Sequence, residues 1–231
     1  MRILLLLLLL FTLTSLHVRA QREHGVTIRF VATFGGKIIQ TSDDIPAAFP
    51  GTDISIETLR YYVSGVSFYM EGEEVFSEAN SYHLIDASSS DKISFKIPTA
   101  QPLVFNQLRF NLGIDSITNI SGVRGGDLDP TTGMYWTWQS GYINFKLEGT
   151  SKNCPARKNR FQFHLGGYAG GNNCLQQVIL KVNNSNNITV RLPLDKLLAT
   201  VDLTTQHTVM NPCREAVALS GTIAQSFEIL P

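Results

Sequence analysis

Charge is scarce in this chain and evenly split, with 19 Lys and Arg against 19 Asp and Glu in 231 residues. No run of five basic residues occurs, so the concentrated positive surface that nucleic acid demands is missing. Catalytic signatures are missing too. There is no Gly-x-Ser-x-Gly elbow, no phosphate-binding loop and no His-Glu-x-x-His, and no nucleophile–base pair stands out, which argues against an exported hydrolase and against an enzyme in general. Beyond the first 20 residues no apolar run approaches the roughly 20 residues needed to cross a bilayer. Internal repeats and low-complexity tracts are absent.

What is present begins with a leader. Arg2 precedes an unbroken apolar run, Ile3 to Phe11, and the segment closes on Val18-Arg19-Ala20. Those are the three parts of a secretory signal peptide. Residues 1–20 are therefore expected to be removed, leaving 21–231 as one domain in the periplasm or outside the cell. Without Arg2 and Arg19 the balanced charges become a net charge near −2.

The rest reads as strands. Residues 26–34, 56–70, 82–87, 93–97, 103–112, 136–148, 161–165, 178–182 and 187–192 are short, β-branched or aromatic, and mostly alternating. Gly65 inside 56–70 signals a bulge or a break. Residues 193–198 suit a turn or short helix. Residues 212–227 read as a helix, with Asn211 as N-cap, Pro212 at the first turn, and Ala216, Leu219, Ile223 and Phe227 on one face. The expected fold is all-β, an antiparallel two-sheet sandwich with a short C-terminal helix. Between strands, residues 113–135 form an unusually long loop rich in Gly and Asp, and such loops often carry function.

Three cysteines leave three possible pairings in an oxidising compartment. Cys154 and Cys174 flank one expected hairpin, so they are the favoured pair, with Cys213 left as a free thiol. Asp115, Asp127 and Asp129 invite a calcium reading, but their spacing fits turns and helix caps better. The histidines after the leader, His24, His83, His164 and His207, are isolated from one another. His164 lies in a strand, on the face opposite Phe161, Phe163 and Leu165; a lone strand histidine is more often structural than ligating. His207 precedes Met210, and an imidazole with a thioether suits Cu(I), although core filling is the commoner use of methionine. Trp136 and Trp138, two apart, share one face if their segment is a strand. That surface could be core, which is the default for Trp, or a sugar platform or redox site.

The block Gly133-Met-Tyr-Trp-Thr-Trp-Gln-Ser-Gly-Tyr-Ile143 resembles the signature of the MbnP-like family, copper-binding proteins associated with methanobactin systems. Leu59-Arg-Tyr-Tyr-Val-Ser64, Leu112-Gly-Ile-Asp115, Gly126-Asp-Leu-Asp-Pro130, Phe163-His-Leu-Gly-Gly167 and His207-Thr-Val-Met-Asn-Pro212 match in order, with Gly-Gly-Tyr after the histidine in the Bacteroidota-like form. The chain departs from the methanotroph members in having fewer cysteines. The resemblance implies a periplasmic or secreted β-sandwich that binds copper without catalysis, for scavenging or delivery. It implies His164, and after it His207 and Met210, as metal ligands. It implies Trp136 or Trp138 as the source of a kynurenine in the site, and a di-haem peroxidase as the partner that makes it. The competing reading is an exported adhesion or binding module without metal, holding a glycan or protein on the 113–135 loop and its aromatics.

Overall fold

The computed structural model describes residues 24–39, 47–49 and 52–230. The leader, 1–20, lies outside the described residues. In chain order the elements are β1 (His24–Phe34), β2 (Lys37–Ile38), β3 (Ala47–Ala48), β4 (Ser55–Met70), β5 (Glu73–Ser77), β6 (Tyr82–Asp86), β7 (Ser94–Thr99), β8 (Gln107–Leu112), helix α1 (Ser116–Ile120), β9 (Tyr135–Trp136), β10 (Gly141–Thr150), β11 (Arg160–Gly166), β12 (Gln176–Lys181), β13 (Asn187–Pro193), α2 (Leu194–Leu198), β14 (Thr208–Val209), α3 (Arg214–Ser226) and β15 (Glu228–Ile229).

Two sheets face each other. The smaller runs β15-β13-β1-β2, with β7 also on β1. The larger runs β12-β8-β4-β10-β11-β14, with β3, β5, β6 and β9 added along it. The sandwich is as expected, but its sheets are mixed: β1 pairs with β13 in parallel, and β11 with β14 in parallel. These partners are far apart in sequence, where alternation carries no information about direction.

Strand β4 is the spine of the larger sheet. Tyr61 pairs with Phe145 of β10 and Ile85 of β6, while Val63 pairs with Leu112 of β8 and His83 of β6. β10 pairs with β4 over Ser55–Tyr61 and β8 over Val63–Tyr69, so these two lie end to end along one edge, while β3, β6 and β5 follow one another along the other. Gly65, at φ +58°, is the bulge where the β4–β8 register shifts.

Alternation sorts β4 into two faces. Leu59, Tyr61, Val63 and Phe68 enter the main core, where Phe30, Phe110 and Phe227 meet at near-perpendicular angles. Helix α3 packs Ala216, Leu219 and Ile223 into that core. Its N-cap is Cys213, whose Sγ accepts from Ala216 N at 3.4 Å, rather than Asn211, so the helix starts two residues later than expected. The opposite face of β4 carries Tyr62, which joins Leu84, Ile114, Leu128, Met134, Trp136, Tyr142 and Ile143 in a second, smaller core. This second core is what the 113–135 loop covers. Tyr142 Oη donates to Leu128 O at 3.2 Å and Tyr62 Oη to Asp127 O at 3.0 Å, so two buried phenols pin the loop to the sheet.

Candidate functional site

The loop acids serve the chain itself. Asp115 caps α1, accepting from Thr118 N at 2.8 Å. Asp129 accepts from Thr131 N at 2.8 Å, and Asp127 from Leu84 N at 3.0 Å. Asp115 and Asp129 thus take the cap and turn roles that the spacing favoured over calcium, while Asp127 ties the loop to β6. His83 is also occupied: its ring stacks on Phe95 with centroids 3.5 Å apart, and Nε2 bonds Glu78 at 2.8 Å.

The segment expected as one strand over 136–148 is a hairpin. Trp136 ends β9 opposite Gly141 of β10, and residues 137–140 turn, with Ser140 at φ +54°. Trp136 and Trp138 therefore do not share a strand face. Trp136 is 6% exposed and Trp138 65%, though their ring centroids remain 5.7 Å apart.

Trp136 lies across the end of β11. A Cβ at Gly166 would fall 2.8 Å from its Cζ3 and 2.6 Å from Tyr142 O, so only glycine lets the indole settle there. Two residues back on the same face of β11 is His164, buried. β14 pairs in parallel with β11 at Gln162–Thr208 and Phe163–Val209, and Met210 follows directly after the last of these pairs. The outer face at this end of β11 carries the His164 imidazole and, over Gly166, the Trp136 indole. His207 O accepts from Gln162 N at 2.8 Å. The same register places His207 level with Phe161, whose face is opposite that of His164, and its Nδ1 is buried without a hydrogen-bond partner.

Glu148, which the sequence reading did not single out, orients His164. Its Oε1 is 2.6 Å from His164 Nε2 and 3.3 Å from Gln162 Nε2. The hydrogen bond from His164, opposed by burial and helped by the field of Lys146, holds this carboxyl at about 2. An ionised carboxylate only accepts, so Nε2 carries the proton and Nδ1 is left with the lone pair when the ring is neutral. A histidine fixed in this way by a carboxylate is the usual support for a metal-ligating imidazole. The signal for Glu148 was cross-strand: it takes the β10–β11 register to place it beside Gln162 and diagonal to His164.

Because this carboxyl sits below its ordinary 4.5, its stabilising contribution is complete above about pH 4.5 and disappears as pH falls through about 2. The expected size is about 3 kcal/mol. Urea unfolding of the metal-free protein should show this acid limb, and Glu148→Gln should flatten it while lowering stability at neutral pH. A limb of unchanged depth in the variant would place the loss elsewhere.

The favoured cysteine pair is not formed. All three thiols are free. Cys154 Sγ donates to Arg160 O at 3.0 Å and Cys174 Sγ to Gly166 O at 3.2 Å. Arg160 and Gly166 are the two ends of β11, so about 20 Å of extended chain keeps these sulfurs apart. Flanking a hairpin in sequence did not mean meeting across it.

The family model of MbnP matches residues 23–212. The chain belongs to the MbnP family. The solved structure of MbnP from Methylosinus trichosporium superposes with a TM-score of 0.64, covering 85% of this chain and 87% of that one at 16% identity. At that identity the likeness concerns the fold alone. No curated protein sequence matches the chain. The MbnP match spans the Trp136 block, the His164 strand and the His207–Met210 segment, so the whole candidate site falls inside the family region.

Proposed function

We propose that this member of the MbnP family is an exported, non-catalytic copper-binding protein that scavenges or delivers Cu(I). The observation that supports the reading is the buried His164 held by Glu148, with Trp136 seated over Gly166 two residues further on and Met210 directly after the strand that pairs with β11. An imidazole and a thioether suit Cu(I) better than harder cations. Among the described residues no three His, Cys, Asp or Glu side chains gather in metal-binding range. The proposed ligand set is accordingly small, one imidazole and one thioether. His207, level with Phe161 on the opposite face, is left out of this ligand set. Of the two tryptophans, we assign the kynurenine to Trp136, whose indole is seated over Gly166, two residues along β11 from His164. Export rests on the leader at 1–20.

Anaerobic Cu(I) titration against a chromogenic chelator tests this. Binding tighter than micromolar is expected, weakened about 100-fold in His164→Ala and about 10- to 100-fold in Glu148→Gln. Binding no tighter than micromolar, or unchanged in His164→Ala, would overturn the assignment.

A second reading has its own support. Ile117, Ile120, Val123 and Trp138 are exposed on the 113–135 loop and the adjoining hairpin turn, and exposed apolar side chains of this kind mark interaction surfaces. A partner such as a di-haem peroxidase would dock there in the copper reading. In the metal-free reading the same side chains would hold a protein or glycan. Metal content after native purification separates the two.

A further inference from the structure

The failure of Cys154 to meet Cys174 raises the question of what Cys174 does face. The turn after β11 supplies the answer. Cys174 N donates to Gly167 O at 3.0 Å, and a Cβ on Gly167 would lie 2.9 Å from Pro212 Cβ, the residue before Cys213. One glycine therefore separates the backbone next to Cys174 from the backbone next to Cys213. Helix α3, which Cys213 caps, packs against β12 and the 170–172 turn on either side of Cys174. Ser220, one helical turn beyond Ala216, lies beside Cys174. Its side chain is buried.

We propose that Cys174 and Cys213 are a disulfide-forming pair that ties the entry of α3 to the turn after β11. The chemistry is exchange with an external disulfide, the oxidant class of an oxidising compartment. Cys213, half-buried, is the sulfur that an external disulfide can reach. Its thiolate attacks, forms a mixed disulfide and releases one thiol. Cys174 then attacks the Cys213 sulfur and releases the second. Two protein thiols and one disulfide become one protein disulfide and two thiols, with both protons on the departing thiols. Burial pushes the Cys174 thiol up to about 11, which suits it to the second, intramolecular step rather than the first. Cys154, held on the Arg160 carbonyl at the other end of β11, stays out of the exchange.

The bond would hold residues 207–213, the segment that carries β14 and Met210, against the end of β11. The proposal itself does not rest on copper, and its test uses none. The folded protein is incubated with oxidised glutathione, then denatured and alkylated, and its mass and peptides are read. The expected result is one alkylated cysteine, Cys154, and a peptide joining Cys174 to Cys213. Thermal unfolding of the oxidised form should rise on the order of 5–10 °C, as expected for closing a loop of about 40 residues. Cys154→Ser should retain the bond, and Cys213→Ser should lose it. Three alkylated cysteines after oxidation, or a joined peptide containing Cys154, would overturn the pairing.

Discussion

Trp136→Ala is expected to destabilise the fold by about 3–5 kcal/mol, the range for emptying a buried aromatic site. The indole fills the space over Gly166 and joins Met134, Tyr142 and Ile143 in the outer-face core. Nothing nearby can slide in to replace it, because Gly166 has no side chain and the facing strand is held by the β10–β11 register. Differential scanning calorimetry should show a fall in Tm of about 10 °C. Trp138→Ala is the control. Its ring is mostly exposed, so its loss should shift stability by no more than about 0.5 kcal/mol. Equal effects from the two substitutions would mean that the pair acts as a single aromatic unit, contrary to the geometry.

Gly113→Ala is expected to be as damaging, by about 3–5 kcal/mol, for a different reason. Gly113 stands at φ +109° where β8 ends and β10 begins along the same edge of β4. A Cβ there would fall 2.4 Å from Cγ and Nδ2 of Asn144, which is buried and accepts from Ile114 N at 3.1 Å. The substitution strains the backbone and breaks the bond that starts the 113–135 loop on its path. Chemical denaturation would measure the loss. The double variant Gly113→Ala with Asn144→Ala should recover part of it, since the overlap with Cγ and Nδ2 disappears while the 2.8 Å approach to Asn144 Cβ and the backbone strain remain. A double variant that is merely the sum of the two losses would show that the overlap is not the cause.

Much of this architecture was legible because strands advertise themselves one at a time. The alternation of β1, β8 and β12 and the helical spacing of Ala216, Leu219, Ile223 and Phe227 are local patterns, and the burial of those residues follows them. What was not legible depends on which strands become neighbours. The parallel β1–β13 and β11–β14 pairs join distant segments, so the mixed sheets could not be read from turns. Trp136 and Trp138 looked like one strand face only while no turn was suspected between them, and the signal for that turn, Gln139-Ser140-Gly141, is weak. The cysteine pairing failed for a related reason: a hairpin's flanks are near in sequence, yet the length of β11 holds them apart.

The site divides in the same way. His164, Met210 and Trp136 were each visible as residues of the right chemistry, while the seat of Trp136 over Gly166 and the pairing of β14 with β11 just before Met210 are properties of register. Glu148 was invisible alone, since a carboxylate on an alternating strand is ordinary until a histidine is placed within 2.6 Å of it. Gly166 was equally silent, because its importance lies in the indole that occupies its missing side chain.

The account turns on Met210 and His164 sharing one metal ion, and the methionines offer a direct way to see it. The chain has four, Met1, Met70, Met134 and Met210. Selenomethionine-labelled protein, loaded with Cu(I) and measured by X-ray absorption at the copper edge, should show selenium in the first coordination shell together with imidazole nitrogen. Met210→Leu should remove the selenium signal and leave the nitrogen. A copper shell without selenium in the labelled protein, or one unchanged by Met210→Leu, would contradict the site described above.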